Sequence, residues 1–568
     1  MNGADALLRS LSKYDVKHVF GLPGDTSVPL YDALYQMRDE IRHVLTRDER
    51  SAAFMADAYA RVSFKPGVCD APSGGGALYM LPGIAEAHGS SIPLLAITTD
   101  IAVGETGKGT LTELDQCALF DSITKWTSLV TDSGRIPEMV RRAFRVATSG
   151  RPGPVHLALP KNVLDGKVEA KIRAEKECLV YPSRRTHPDL AAIKRAADLL
   201  VKAEKPVIVA GGGVIISQAW EELTELAELL GIPVGTTLTG KGSISEAHPL
   251  SLGVVGDNGA RPYANKTVEE ADLVLFVGCK TGSVSTRRWR IPRAGTKIVH
   301  IDVDPSEIGK NFETEAGVVG DAKLALKELI DCLETTIKRG APKRGSRAAR
   351  IRDLAREWLD QVAPKMSSES TPIKPQRVMK ELRETLPKNS LIIADAGTGT
   401  AFGAAYIDNL QPGRSFICFR AHGGLGYAVP GAIGAKLAAP DRTILGLSGD
   451  GGFAFSLGEL ETARRERIPF TVIVFNNGSF GWIKTLQWLY YGERYKSVDF
   501  SPLNYADVAS SLGCRGIRVE RPTEIREALR TAFSSDETTV IDMIVEPLQS
   551  ELPPVQTWVD DAERTKRG

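Results

Sequence analysis

Gly449-Asp450-Gly451-Gly452 follows the apolar run TILGLS, and Asn476-Asn477 follows a second apolar run, FTVIVF, with 24 residues between Gly451 and Asn476. A helical pattern joins the two runs, so they read as parallel strands. Their C-terminal ends then emerge on one edge, where open α/β sheets bind ligands. Asp450 offers a carboxylate, Asn477 an amide oxygen, and the backbone carbonyl of Ser479 a third oxygen. Three hard oxygens with positions left open suit Mg²⁺ shared with a diphosphate. Gly449, Gly451 and Gly452 allow backbone N–H groups to approach such an anion at a helix start. Either half alone is an ordinary turn; the spacing within strand–helix–strand gives the pair its weight.

Three further places carry chemistry-bearing residues. Glu49, in LTRDERSAAF, ends a short strand (IRHVL) and opens a helix, where the dipole favours a carboxylate and burial would raise its pKa. HGGLGYAVP, His422 to Pro430, is a glycine-rich helix entry with one histidine beside it. Gly397-Thr398-Gly399-Thr400-Ala401-Phe402-Gly403 follows a strand and nearly matches a dinucleotide fingerprint, but its last glycine is one residue late.

The elements that must position these residues are those of an α/β protein. With 42% apolar and 25% charged residues over 568 positions, the chain is globular and long enough for three or four domains. Lys+Arg 71 against Asp+Glu 70 leaves no basic excess to drive nucleic-acid binding, so small molecules or copies of itself are the expected partners. Seven scattered cysteines without a C-x-x-C pair argue against a disulfide framework and a structural zinc site. Charges interrupt the N-terminal apolar residues, and no charge-free stretch of about 20 apolar residues occurs, so neither signal peptide nor membrane span is expected and the cytoplasm is. Strand-like runs (VKHVFGLPG, PLLAITTD, PVHLALP; PVIVAGGGV, ADLVLFVG, KIVHIDVD; SLIIADAGTGT, TILGLSGDGGF, TVIDMIVEP) alternate with amphipathic ones, predicting three domains with mostly parallel sheets flanked by helices. Their expected bounds are 1–170, 188–340 and 370–550, with a tail at 551–568. Charged, proline-bearing stretches at 164–188 and 337–353 read as linkers. The first and third domains look alike in strand content.

The GDG…NN pair resembles the diphosphate–metal motif of thiamine-diphosphate-dependent enzymes. FGLPGDTSVPLYDAL, RDERSAAFMADAYARVSFKPGV, GRPGPVHLALPKNV, KIVHIDVDPSEIGKN and GGLGYAVPGAIGAKLA extend the likeness over nearly the whole chain, toward the acetohydroxyacid (acetolactate) synthase and pyruvate oxidase branch. The resemblance implies a pyrimidine-binding domain, a Rossmann-like middle domain and a diphosphate-binding domain. It implies thiamine diphosphate and Mg²⁺, with the metal held by Asp450, Asn477 and Ser479, and Gly449, Gly451, Gly452, Thr398 and Gly399 at the diphosphate. Glu49 falls at the activating glutamate that shares a proton with the pyrimidine N1′ and favours the 4′-imino base. The Gly423 carbonyl and Leu425 N–H would hold the pyrimidine, and the Leu425 side chain would bend the cofactor. It also implies active sites between the subunits of a homodimer or homotetramer.

The chain departs from the family in several places. GVVGDNGARPYAN is longer than usual and GCKTGSVSTRRW lacks the F-D-D-R type segment, so of two readings of the middle domain bound FAD is the less favoured and a structural role the more. Leu111-Thr112-Glu113 replaces Phe-Gln-Glu, and Leu486 stands where a tryptophan favours larger acceptors. Ala71-Pro72-Ser73 lacks the histidine of benzoylformate decarboxylase. Scarce proton donors favour carboligation: a 2-oxo acid, pyruvate first, loses CO₂ and its two-carbon unit passes to a carbonyl acceptor. A simple decarboxylase comes second and an oxidase third. An idle, cofactor-binding regulatory subunit is the alternative of another class, against which Glu49, Asp450 and Asn477 speak.

Overall fold

The computed structural model describes residues 1–337 and 347–567. Most of the basic stretch expected as a linker, residues 338–346, lies outside the described residues; the helix it leads to is Arg347–Met366. Each apolar run becomes a strand of one of three six-stranded sheets. The first contains β1 (His18–Gly21), β2 (Arg42–Leu45), β3 (Gly67–Ala71), β4 (Leu94–Asp100), β5 (Thr127–Leu129) and β6 (Val155–Pro160), in spatial order β2-β1-β3-β4-β6-β5. The second contains β7 (Pro206–Ala210), β8 (Val234–Thr236), β9 (Ser251–Val254), β10 (Leu273–Val277), β11 (Lys297–Asp302) and β12 (Ala316–Val319), in order β12-β11-β10-β7-β8-β9. The third contains β13 (Leu391–Ala394), β14 (Phe416–Cys418), β15 (Ile444–Gly449), β16 (Thr471–Asn476), β17 (Arg515–Val519) and β18 (Thr539–Ile544), in order β14-β13-β15-β16-β18-β17.

Every pairing in these sheets is parallel. Parallel strands need crossovers, and the helices that supply them cover both faces, which is why β3, β4, β6, β7, β10, β13 and β16 are buried along their full length. Counted from its own first strand, the third sheet has the same order as the first, 2-1-3-4-6-5. The middle sheet has the doubly wound order 3-2-1-4-5-6 of dinucleotide-binding folds.

Small residues set how the first and third sheets meet. The Glu49–Ser63 helix lies against Ala428–Ala438, and a Cβ on Gly434 would sit 2.1 Å from the Met55 carbonyl oxygen. Across this contact the Tyr427 hydroxyl donates to Asp57 at 2.7 Å, and Asp57 pairs with Arg61 at 2.7 Å; all three residues are buried. The stretch at 164–188 is irregular but packed: Cys178 and Tyr181 are buried and the Tyr181 hydroxyl donates to the Ala60 carbonyl at 3.0 Å. The N-terminal residues form the helix Gly3–Lys13, capped by Asn2. Cys69, Cys117, Cys178, Cys279, Cys418 and Cys514 are free thiols, and among the described residues no helix is long and apolar enough to cross a membrane.

Candidate functional site

In an order of 2-1-3-4 the order in which strands are added reverses between the first and third strands, and the loops leaving them diverge to open a crevice. In the third sheet those loops are 395–399 after β13 and 449–452 after β15. Asp450, buried, opens a short helix, Asp450–Ala454. One carboxylate oxygen accepts the backbone N–H groups of Asn477 (3.1 Å), Gly478 (2.7 Å) and Ser479 (3.2 Å), and the other accepts that of Gly451 (2.8 Å). The side chain thus ties the loop after β15 to the loop after β16. Asn477 presents its amide oxygen beside the Ser479 hydroxyl, 3.1 Å away. Burial pushes the Asp450 carboxyl up to about 6, against the pull of the four N–H groups.

Asp395 acts likewise on the neighbouring strand, and sequence reasoning missed it. It follows directly on β13, buried, and accepts from the Gly426 N–H (3.1 Å), the Ser448 hydroxyl (3.0 Å) and the Ala396 N–H (2.8 Å). Its burial raises it to about 6, with Ser448 and these backbone groups opposing. The loop after β13, the glycine-rich loop 423–426 and the strand leading into Gly449 are therefore fastened to one carboxylate. Thr398 and Gly399 begin the Thr398–Tyr406 helix, and a Cβ on Gly399 would lie 2.8 Å from that of Leu447.

Glu86, also missed, holds the far side of the glycine-rich loop. Buried in the Gly75–Ser90 helix, it accepts the consecutive N–H groups of Arg420 (3.1 Å), Ala421 (2.8 Å) and His422 (3.1 Å). Arg61 lies 3.7 Å away as its counter-ion. Phe419, next in the chain, packs edge-on against Phe54 at 4.7 Å and stacks on Tyr427 at 4.7 Å. Gly423 and Leu425 are carried between these two anchors, with Gly423 at φ +69°. His422 is exposed and only its backbone is held. A D/E followed by a distant glycine loop leaves no spacing signal, since Glu86 acts 334 to 336 positions away.

Glu49 opens its helix as expected, with Asp48 as N-cap, and is 7% exposed. Burial is the first cause of its raised pKa; Asp48 and Asp70 add to it, and its own backbone N–H opposes. Its carboxylate lies over Gly76, where a Cβ would come within 2.9 Å. The structure joins residues 397–399, 423–426, 449–452 and 477–479 through Asp395 and Asp450. Among the described hydrogen bonds and ion pairs none links Glu49 to that group; its neighbours Arg47 and Arg50 instead bond Glu459 and the Phe455 carbonyl.

Two cavities are lined in part by Arg420, ahead of the glycine-rich loop. The larger, about 410 Å³, lies at the switch point of the middle sheet and is lined by Gly211–Gly213, Lys280, Asp302 and Arg151. Burial pulls Lys280 down to about 8 and pushes Asp302 up to about 6. The smaller, about 240 Å³, lies between the Gly481–Tyr491 helix and the C-terminal segment. The unusually long loop GVVGDNGARPYAN docks that segment: Asn258 bridges to Val555, and Asp257 accepts from Thr557 through its N–H (2.8 Å) and hydroxyl (2.7 Å).

The donor chemistry of the loops after β15 and β16 is of the kind Mg²⁺ would take. Asp450, Asn477 and Ser479 supply hard oxygens of mixed charge. A Cβ on Gly397, Gly423 or Gly449 would meet nothing within 4 Å, so the backbone around the crevice is open to a ligand.

Three family models match the chain: thiamine pyrophosphate enzyme, N-terminal TPP binding domain, over residues 1–119; central domain, over 193–329; and C-terminal TPP binding domain, over 395–543. The chain is similar to a probable acetolactate synthase large subunit of Methanococcus aeolicus, 39% identical over 96% of this chain and 92% of that protein. It has the same identity to the corresponding protein of Methanocaldococcus jannaschii, over 97% and 93%. The acetolactate synthase large subunit of Corynebacterium glutamicum is 35% identical over 96% and 87%.

Proposed function

The chain belongs to the thiamine pyrophosphate enzymes, in the branch of the acetolactate synthase large subunits, and from that membership we propose that it decarboxylates a 2-oxo acid, pyruvate first, and joins the remaining two-carbon unit to a second carbonyl compound. The observation that carries the reading is the crevice of the third sheet, where Asp395 and Asp450 fasten loops with open backbone at Gly397, Gly423 and Gly449. Thiamine diphosphate, when bound, supplies the carbon nucleophile and the electron sink for loss of CO₂. Asp450, Asn477 and the Ser479 carbonyl hold Mg²⁺ against its diphosphate. The N–H groups of Gly451 and Gly452, at a helix start beyond Gly449, and Thr398 with Gly399 receive the phosphate oxygens. The Gly423 carbonyl and the Leu425 N–H hold the aminopyrimidine, and the Leu425 side chain props the ring. Glu49 keeps a proton at ring nitrogen N1′, a role suited to a carboxyl whose burial raises its pKa. Because no described bond joins Glu49 to this crevice within its own chain, the partner subunit's Glu49 completes the site on this reading, in a homodimer or a pair of dimers.

The cavity at Gly211–Gly213, at the switch point of a doubly wound sheet, favours a bound nucleotide in the middle domain, with FAD the first species to seek. Free thiols at Cys69, Cys117, Cys178, Cys279, Cys418 and Cys514 suit the reducing cytoplasm. Mass spectrometry of released small molecules, with product analysis after incubation with pyruvate and Mg²⁺, tests the whole reading. Acetolactate is expected. Acetaldehyde alone marks a decarboxylase, acetate with peroxide an oxidase, and bound cofactor without CO₂ from any 2-oxo acid an idle subunit.

A further inference from the structure

The Thr398–Tyr406 helix presents its first residues to the crevice, and all nine of its residues are buried, so the carbonyls of its last turn need partners from the protein. The Gly403 carbonyl accepts the Ile407 N–H at 3.0 Å. The next two are taken by cations of the middle domain. Lys241 donates from Nζ to the Ala404 carbonyl at 3.2 Å, and Arg261 donates from Nε to that of Ala405 at 3.1 Å. Lys241 follows β8 after the single turn Leu238–Gly240, and Arg261 stands at the start of the Pro262–Glu269 helix that follows β9. Both are buried.

Each cation holds the helix end twice. Lys241 also pairs with Glu246, and Glu246 accepts the Asn409 N–H at 2.6 Å. Arg261 also pairs with Asp408, whose other oxygen Arg383 holds at 2.7 Å. The backbones close up around these pairs. The Glu246 N–H donates to the Asn409 carbonyl at 2.8 Å, and a Cβ on Gly259 would lie 2.5 Å from that of Ala404. The Lys241 and Glu246 side chains have no exposed surface. Taking two charges out of water can cost more than their attraction returns, so such a pair is weak support for stability and asks for another role. Cations at a helix C-terminus complement its dipole. Nine residues span about 14 Å, so the grip lies one helix length behind Thr398 and Gly399.

We propose that Lys241 and Arg261 are positioning residues for the cofactor's diphosphate: from the middle domain they fix the end of the Thr398–Tyr406 helix and so the height at which Thr398 and Gly399 meet the phosphate oxygens. The contact of those two residues with a diphosphate rests on the function proposed above; the grip on the helix rests on the hydrogen bonds themselves. Released at that end, the helix frays from its last turn and its first turn loses its fixed place over the crevice. The middle domain then acts on the diphosphate through this helix.

The test uses the full chain with Mg²⁺ and measures binding of thiamine diphosphate, and separately of inorganic pyrophosphate, by equilibrium dialysis. Lys241→Met alone would leave Glu246 a buried unpaired charge, so it is combined with Glu246→Gln, which keeps an acceptor for the Asn409 N–H. In this double variant, and in Arg261→Met, the dissociation constants of both ligands rise about 10- to 100-fold, the worth of a hydrogen bond to a charged group, while kcat with pyruvate at saturating cofactor changes less than about threefold. Arg261→Lys recovers part of the affinity. Arg383→Met removes the other partner of Asp408 without touching a helix carbonyl, and it lowers Tm while leaving both dissociation constants as in the wild type. Hydrogen exchange gives a readout independent of any ligand: amides of residues 399–407 exchange about tenfold or more faster in the double variant, and those of β15 and β16 do not. Unchanged dissociation constants, an equal rise in Arg383→Met, or helix amides protected as in the wild type overturn the proposal. Failure of the wild type to bind either ligand sinks the proposed function instead, and hydrogen exchange still decides the grip on the helix.

Discussion

At the scale of single residues, carboxylates do most of the positioning and their burial sets their titration. Glu49→Gln keeps the hydrogen-bonding shape but cannot share a proton in the same way, so cofactor retention should persist while the rate of CO₂ release falls about 100-fold or more; full activity in the variant refutes the role. Glu459 offers a pH test away from the site. It is buried, accepts from the Arg47 N–H at 3.0 Å and the Thr462 hydroxyl at 2.8 Å, and burial pushes it up to about 7. A carboxyl with a raised native pKa holds its proton longer folded than unfolded, so its contribution to stability is greatest below about pH 4.5 and declines up to about pH 7. Glu459→Gln should therefore gain on the wild type in Tm between pH 5 and pH 8, with an upper bound of about 3 kcal/mol. Legibility at this scale was uneven. Asp450 and Asn477 could be read because their motif is local, two strand ends a helix apart. Asp395 and Glu86 could not, because each acts across tens to hundreds of positions on groups of other segments.

At the scale of elements, the apolar runs were legible, and four of the six edge strands were not. Fully buried central strands such as β4, β7, β10 and β16 are long apolar runs that announce themselves. β5, β9, β12 and β17 are short or half-exposed, as in the alternating burial of Ala316–Val319, and only pairing with a neighbour makes them strands. Helix contacts, too, were invisible until folded. Gly434 reads as a weak helix residue, but its missing Cβ is what lets the helix approach Met55; Gly434→Val should destabilise by roughly 1–3 kcal/mol, or prevent folding, as read by denaturant unfolding. Glu86→Ala removes the acceptor for three successive N–H groups and leaves Arg61 without that partner. It should raise the concentration of thiamine diphosphate needed for half-maximal activity more than it lowers the maximal rate, since the glycine-rich loop can still be drawn into place by saturating cofactor.

At the scale of the whole molecule, the chain contains two sheets of identical strand order, one presenting Glu49 and the other Asp450, with no described bond between those two side chains. Each polypeptide on this reading owns one half of two different reaction chambers. Two crippled chains should then rescue each other: co-refolding Glu49→Gln subunits with Asp450→Ala subunits places both lesions in one chamber of the mixed dimer and none in the other. Random mixing should restore about a quarter of wild-type turnover. Were each chain self-sufficient, no blend of the two would revive anything.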